Sequence, residues 1–171
     1  MEKLIISPKT KVLQLIETYP NLEILLIEMV PAFVKLKNPI LRKTVAKITT
    51  LQQAASIGGI NPELLINKLR NAVGQDNLND IGFSDYNTVK PEWFEIEKIA
   101  KEFDIRSMLN QGEQPINLVI ADIIHLEQNQ IYKIISPFVP APLIDKASSL
   151  NLSHWVRNVE ADIFEVYFYK E

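Results

Sequence analysis

The sequence predicts an α+β protein of two domains, a helical N-terminal domain followed by a two-layer α/β sandwich. Three observations lead to this fold class. Apolar residues recur every three or four positions up to Gly74, strand-like alternation begins after Trp93, and the stretch between them is polar, acidic and rich in turn formers. We therefore assign residues 1–74 to an all-α domain, 75–92 to an acidic linker and 93–171 to the sandwich.

The N-terminal domain is predicted to hold five short helices, each opened by a capping side chain or by a proline at the first helical position. The predicted starts are Thr10, Asn21, Asn38, Thr50 and Asn61. Gly58-Gly59 and Gly74 end the last two helices, since glycine readily adopts the left-handed conformation that closes a helix. A unit of this size must bury nearly all of its Leu and Ile to offset chain entropy, so the apolar stripes are core.

The linker separates two halves of opposite charge. Residues 1–74 hold 10 Lys+Arg against 5 Asp+Glu, whereas residues 75–171 hold 8 against 16, so the halves attract each other. The linker also contains Leu78, Ile81, Phe83 and Tyr86. A solvated tether gains nothing from such side chains, so we expect the linker to lie along one of the domains.

The C-terminal domain is predicted to follow the order β-α-β-α-β-β. Strands are predicted at residues 96–105, 131–138, 153–160 and 163–170, and helices at 114–127 and 141–150. The turn Ala161-Asp162 joins the last two strands, and this order places both helices on one face of a small sheet. The inward stripe of the first helix is Ile116, Val119, Ile120, Ile123 and Ile124.

The other face of this sheet has no helix to cover it. The last strand points its phenylalanines towards the helices, so alternation places Tyr167 and Tyr169 on the open face, with Trp155 as a neighbour. Aromatic side chains on an open face predict that something covers it. Trp155, Tyr167 and Tyr169 are therefore a candidate partner surface.

Composition excludes several chemistries. The chain has no cysteine, so it lacks the sulfur needed for a disulfide, a thiolate metal site, a cysteine nucleophile or a persulfide carrier. Its two histidines are a poor basis for an imidazole metal site or for serine–histidine catalysis. No apolar run approaches the ~20 residues that span a bilayer. We expect no metal, no cofactor, no membrane segment, a cytoplasmic location and a role other than catalysis.

The strongest candidate site is a basic stretch. Residues 29–62 contain no acid, and their cations surround the predicted helix start at Asn38. Free N–H groups at a helix start among cations suit a phosphate or carboxylate. The candidate anion site comprises Lys35, Lys37, Asn38, Arg42, Lys43 and Lys47. A solvated basic face, or one that docks on the acidic half, explains the same pattern without a ligand.

Residues 50–70 resemble a helix-turn-helix. Ala55, Gly59, Ile60 and Leu65 have the spacing of two helices packed about a tight turn. The second helix would present to a DNA groove the side chains of Glu63, Asn67, Lys68, Arg70 and Asn71. This mixed set neutralises little phosphate charge and the whole chain is acidic, so a plain helical corner is favoured over nucleic-acid binding.

Both histidines have two interpretations. His125 follows Asp122 by three residues, a spacing that either orients the imidazole for proton transfer or forms a plain surface pair. His154 lies beside Trp155 and on one strand with Arg157, where it either lines a pocket or packs at the sheet edge.

The C-terminal domain carries the pattern of a known superfamily. Asp104-Ile105-Arg106, followed by Gly112-Glu113-Gln114-Pro115 at a helix start, resembles the TusA/SirA sulfur carriers, in which Asp-x-Arg leads into a Cys-Pro-x-Pro turn. Residues 137–145 resemble an uncharacterised branch of that superfamily. The carrier cysteine would fall near Gly112 and is absent, so the resemblance implies the fold and a binding surface without sulfur transfer. Arg106 and Pro115 would border that surface, and an Asp104–Arg106 ion pair would fix the turn.

Residues 1–74 resemble a helical family of unknown function. The resemblance lies in Thr10-Lys11-Val12, Tyr19-Pro20, Ala54-Ala55, Gly59-Ile60 and Glu63-Leu64-Leu65. Branches of this family associated with hybrid-cluster proteins carry a cysteine pair that would fall near residues 30–36. That pair is absent here. The combination of the two domains resembles an uncharacterised type of bacterial protein.

The sequence therefore predicts a non-catalytic binding or adaptor protein for a protein partner or a small anion. One alternative is a cysteine-less accessory to sulfur or metal-redox metabolism, implied by the relatives that keep their cysteines. The other is a DNA-binding regulator, which depends on residues 50–70.

Overall fold

The computed structural model describes residues 3–79 and 86–171. The chain divides into two compact units, residues 1–85 and 86–171, which we call the helical unit and the mixed unit. The first is built from helices and the second from helices and a sheet, so the two-domain α+β class is confirmed. The predicted linker positions Ile81 and Phe83 lie outside the described residues.

The helical unit packs short helices around a shared aliphatic core. Its elements are α1 (Val12–Thr18), α2 (Leu22–Met29), a 3-10 helix (Pro31–Lys37), α3 (Pro39–Leu41), a π-helical turn (Arg42–Ala46), α4 (Leu51–Gly58) and α5 (Pro62–Ala72). Leu15, Leu26, Leu51 and Leu65 are all buried and come from four different helices. Helices this short are marginal alone in water, so they depend on this common core for their stability.

Side-chain caps start three of these helices at the predicted residues, and the first of them is Asn38 at the start of α3. Thr50 forms a reciprocal capping box at the start of α4, and Asn61 accepts a hydrogen bond from the Glu63 N–H (2.8 Å) at the start of α5. The predicted cap at Thr10 is wrong. The Thr10 hydroxyl instead accepts from the Ser7 N–H (2.9 Å), which shapes the turn before α1.

The helix predicted to run from Asn38 through Ile48 is interrupted. α3 ends at Leu41, and the chain widens into the π-helical turn. The Thr44 hydroxyl lies 3.1 Å from the carbonyl oxygen of Ile40 and 3.3 Å from that of Leu41. A threonine hydroxyl that bonds back to the preceding turn competes with the helical ladder, which accounts for the change of pitch.

Polar side chains at the end of the helical unit hold its N-terminal segment. Gln75 Oε1 accepts from the Ile6 N–H (2.9 Å), and Gln75 Nε2 donates to the Leu4 carbonyl (2.8 Å). Arg70 is buried, and its guanidinium donates to the Ile6 carbonyl. We call these contacts the N-terminal latch. Because Gln75 takes part in it, the helical unit extends past its predicted end.

The mixed unit contains a four-stranded sheet. A short 3-10 helix (Ile96–Lys98) is followed by β1 (Ile99–Asp104), α6 (Arg106–Asn110), α7 (Ile116–Ile124), β2 (Ile131–Ser136), α8 (Ala141–Ser149), β3 (Ser153–Glu160) and β4 (Ile163–Tyr169). The strand order is β1-β2-β4-β3, with β1 parallel to β2 and the other neighbouring pairs antiparallel. α6 is an addition to the predicted succession of elements.

One sheet face packs against the helices. Tyr132 lies opposite Phe168 in the β2–β4 register, and its hydroxyl donates to Asp122 of α7 (2.7 Å). α8 packs beside α7. Ile124, predicted to point inward, is instead 62% exposed and is the last residue of α7.

Candidate functional site

An exposed basic surface lies on the 3-10 helix, α3 and the residues that follow. We define it by Val34, Lys37, Ile40, Lys43 and Lys47. Among the residues described, no carboxylate lies within ion-pair distance of these three lysines. Val34 and Ile40 are 48% and 42% exposed. The basic surface thus combines uncompensated positive charge with accessible apolar area.

The other members of the predicted anion site have structural roles. Asn38 Oδ1 accepts from the Ile40 N–H (2.9 Å), and Arg42 forms an ion pair with Glu23 of α2. Lys35 is half-buried. The Asn38 cap occupies an N–H group to which an anion would bind. Asn38 and Arg42 are therefore engaged within the protein, which leaves Lys37, Lys43 and Lys47 as the exposed cations of the predicted anion site.

The predicted partner surface on the sheet is covered by the chain itself. Trp93 stacks on Tyr169 with ring centroids 4.8 Å apart, and Phe94 meets Trp155 and Tyr167 edge-on at 4.8 and 4.7 Å. Tyr167 is only 3% exposed, and Trp155 and Tyr169 are also buried. Residues just before β1 thus supply the cover that these aromatic side chains predicted, and they leave Trp155, Tyr167 and Tyr169 little exposed area for a partner.

The second part of the predicted linker binds to the edge of β3. The Asn87 carbonyl accepts from the Val156 N–H (2.8 Å), and the Asn87 N–H donates to His154 Nε2 (3.0 Å). The Thr88 carbonyl accepts from the Trp155 indole (3.2 Å). His154 therefore acts at the sheet edge, and its burial lowers its pKa while the charge of Asp145 partly opposes that shift.

A charged network that the sequence did not predict lies on the sheet face of Trp155 and Tyr167. Lys133 Nζ lies 3.3 Å from Glu165 and 3.7 Å from Glu102, and Arg157 lies 3.5 Å from Glu165. Two cations face two carboxylates, so the cluster is neutral and offers no net charge to a ligand. Lys133 and Glu165 are the single charged residues of the otherwise largely apolar strands β2 and β4, and this was the signal that could have located the cluster.

Asp104 and Arg106 form the predicted ion pair at the end of β1. Arg106 Nε lies 2.9 Å from Asp104 Oδ1, and Nη2 lies 2.6 Å from Oδ2. The hydrogen bonds from Arg106 hold the pKa of Asp104 below its usual value. Pro115 is buried immediately before α7, so of the two predicted rim residues Arg106 alone is accessible.

Asp122 and His125, predicted as a pair, each form hydrogen bonds with other groups. Asp122 accepts hydrogen bonds from Lys101 Nζ (2.7 Å) and from the Tyr132 hydroxyl (2.7 Å), while His125 Nδ1 lies 2.7 Å from the Ala121 carbonyl. Burial raises the pKa of Asp122, but the hydrogen bonds from Lys101 and Tyr132, together with the charges of Lys101 and His125, outweigh it and leave the pKa lowered. Asp122 thus ties α7 to the sheet.

Two of the side chains predicted to face DNA are engaged within the helical unit. Arg70 is buried and donates to the carbonyls of Ile6 and Asp76. Asn67 forms two hydrogen bonds with the backbone of Leu78. The exposed residues that remain on α5 carry little positive charge. A DNA-binding helix needs positive charge to neutralise phosphate groups.

Two features of other protein classes are absent from the part of the chain that the structure describes. No group of three or more His, Asp or Glu side chains in residues 3–79 and 86–171 is placed to hold a metal ion. None of the helices in these ranges has the length and hydropathy required to cross a membrane.

The fold defines the chain as a two-domain α+β protein, and its N-terminal domain matches a known family. Residues 6–66 fit the family model described as a domain of unknown function (DUF1858). This match confirms the resemblance of the helical domain to a family of unknown function. No curated protein matches the chain. No solved structure matches it either.

Proposed function

We propose that this chain is a non-catalytic binding module that docks an acidic protein partner through the basic surface. The observation that carries the proposal is that three exposed lysines without a carboxylate partner alternate with exposed Val34 and Ile40 along the successive helical turns of residues 34–47. Positive charge steers an acidic partner and sets its orientation, while buried apolar side chains supply affinity.

A protein partner fits this surface better than a small anion. The Ile40 N–H at the start of α3 is already bonded to Asn38, and Arg42 is paired with Glu23. A small anion gains most from converging donors in a concave site, whereas Lys37, Lys43 and Lys47 are spread over exposed positions.

Fluorescence anisotropy with a labelled peptide tests this proposal. The peptide alternates Glu and Leu, and unlabelled inorganic phosphate serves as the competing small anion. We expect the peptide to bind the wild type, and a Lys37→Glu/Lys43→Glu/Lys47→Glu variant to lose at least about tenfold in affinity. Phosphate in the millimolar range should not displace the peptide.

A matched variant separates this surface from net charge. Lys3→Glu/Lys9→Glu/Lys146→Glu makes the same charge change at other exposed positions and should retain binding. Equal loss in both variants would show that the attraction is non-specific. No peptide binding by the wild type, or full displacement by phosphate, would refute a protein-docking role.

For the mixed unit we propose a relationship to the TusA/SirA-like fold, in a bacterial cytoplasmic protein. The succession of strands and helices and the helix-packed sheet face support it. The Asp104–Arg106 pair also occupies the turn where the superfamily pattern begins. With no cysteine in the chain, the proposal includes no sulfur transfer.

A further inference from the structure

A groove of about 590 Å³ runs along the outer side of α5. Its lining consists of Asn61, Glu63, Leu64, Asn67, Lys68, Asn71 and Asn77. All of these residues belong to the helical unit, and carboxamides outnumber every other side-chain type among them. The volume lies within the range of sites that enclose small ligands or short chain segments.

One of these carboxamides already binds backbone outside any helix or strand. Asn67 Oδ1 accepts from the Leu78 N–H (2.7 Å), and Asn67 Nδ2 donates to the Leu78 carbonyl (2.8 Å). The side chain thereby satisfies the donor and the acceptor of one residue together, as a neighbouring β-strand would. The wall of the groove is held in place by this pairing.

Two further carboxamides are available for the same type of contact. Asn71 lies one turn after Asn67 on α5, Asn77 lies next to Leu78, and both are exposed. Their side chains make no hydrogen bond within residues 3–79 and 86–171. Each offers two donors and two acceptor lone pairs to a passing peptide.

The remaining lining residues favour a peptide over nucleic acid. Leu64 is 58% exposed and gives an apolar side chain a place to pack. Glu63 and Lys68 cancel in charge, so the groove would neutralise little phosphate. A basic groove with aromatic stacking platforms would be expected for a nucleic acid, and the lining contains no aromatic residue.

We propose that this groove binds an extended peptide segment, with Asn71 and Asn77 pairing to its backbone and Leu64 contacting one apolar side chain. The site is separate from the basic surface and does not depend on it. Recognition through the backbone gives affinity with modest sequence demands, as in strand addition to a sheet edge.

NMR titration with a defined probe tests this inference. The probe is a blocked, uncharged peptide of four Ser-Leu repeats, added to the full chain at millimolar concentration. We expect saturable shifts of the Asn71 and Asn77 side-chain amides and of the Leu64 methyl groups. A peptide with N-methylated backbone should bind at least about tenfold more weakly, because it has lost its N–H donors.

Paired variants test which asparagines bind the peptide. Asn71→Ala/Asn77→Ala should weaken binding by about tenfold, while Asn21→Ala/Asn79→Ala, at exposed asparagines outside the groove, should not. The lysine variant of the basic surface should bind this peptide normally, so the two proposals fail independently. Absence of shifts, equal binding of the N-methylated peptide, or tighter binding of a random DNA duplex at the same residues would overturn the inference.

Discussion

Trp93 lies parallel to Tyr169, with an angle of 6° between the rings and 4.8 Å between their centroids. This contact, with Phe94 beside it, closes a sheet face that has no helix on it. The aromatic pairs add directional attraction to the burial of apolar area, so the segment before β1 is an integral part of the mixed unit.

Removing Trp93 should therefore destabilise the mixed unit. We expect Trp93→Ala to lower its free energy of unfolding by about 2 kcal/mol, because Tyr169 and Ile131 lose their cover. Urea unfolding followed by Trp155 fluorescence measures this change. Trp93→Phe, which keeps a stacked ring, should cost less than half as much, and equal stability of Trp93→Ala and wild type would contradict the role of the cover.

Acidification should loosen the segment before Trp93. Burial lowers the pKa of His154 below its ordinary value near 6.5, so the folded state favours the neutral ring. The neutral Nε2 accepts the Asn87 N–H, and a protonated Nε2 cannot. Stability is then complete above the ordinary histidine pKa and decreases as the pH falls from there through the lowered folded-state pKa.

Hydrogen exchange of the Asn87 amide between pH 7 and 5 measures this effect. After correction for the intrinsic rate, protection should fall in the wild type and remain flat in His154→Gln. Asp104, Asp122 and Glu165 also have lowered pKa values, but the stability that such carboxylates contribute is lost only below about pH 5. A pH-independent wild type would refute the role of His154.

Arg70 should behave as a core residue although it is charged. Arg70→Met keeps most of the volume but leaves the carbonyls of Ile6 and Asp76 without a donor, which should cost about 3 kcal/mol. Exchange protection of the α1 and α5 amides reports on the helical unit. Lys68→Met on the same helix is the matched control and should change stability little. Similar behaviour of the two variants would argue against the latch.

Loss of the capping box at Thr50 should have a smaller effect on the stability of the helical unit. Thr50→Ala removes the acceptor for the Gln53 N–H and should destabilise the helical unit by about 1 kcal/mol. Thermal unfolding monitored by helical circular dichroism measures the shift. Thr50→Ser, which keeps the hydroxyl, should restore most of the loss. A melting temperature unchanged by Thr50→Ala would mean that tertiary packing alone sets this helix start.

Local features of the fold could be predicted from the sequence, whereas long-range partners could not. The caps at Asn38, Thr50 and Asn61 depend on residues two or three positions away, so spacing reveals them. Strand alternation placed Tyr167 and Tyr169 on one face but carries no information about which segment covers that face.

In the candidate site, too, local features could be predicted from the sequence and long-range contacts could not. A run without acids marks a basic stretch, and three of its lysines are indeed exposed without a carboxylate beside them in the described structure. Helical periodicity placed Arg70 on an outer face because its partner carbonyl at Ile6 is distant in sequence. The groove along α5 depends on Asn77 returning beside the helix, which no periodic pattern encodes.

The N-terminal latch has a consequence for work on the isolated domain. A fragment trimmed to residues 6–66, the range of the family match, would lack Arg70 and Gln75 and would leave the peptide groups of Ile6 without their partners. A fragment for expression of this domain by itself should therefore include Leu4 and extend at least to Asn79, so that both sides of the N-terminal latch are present in one molecule.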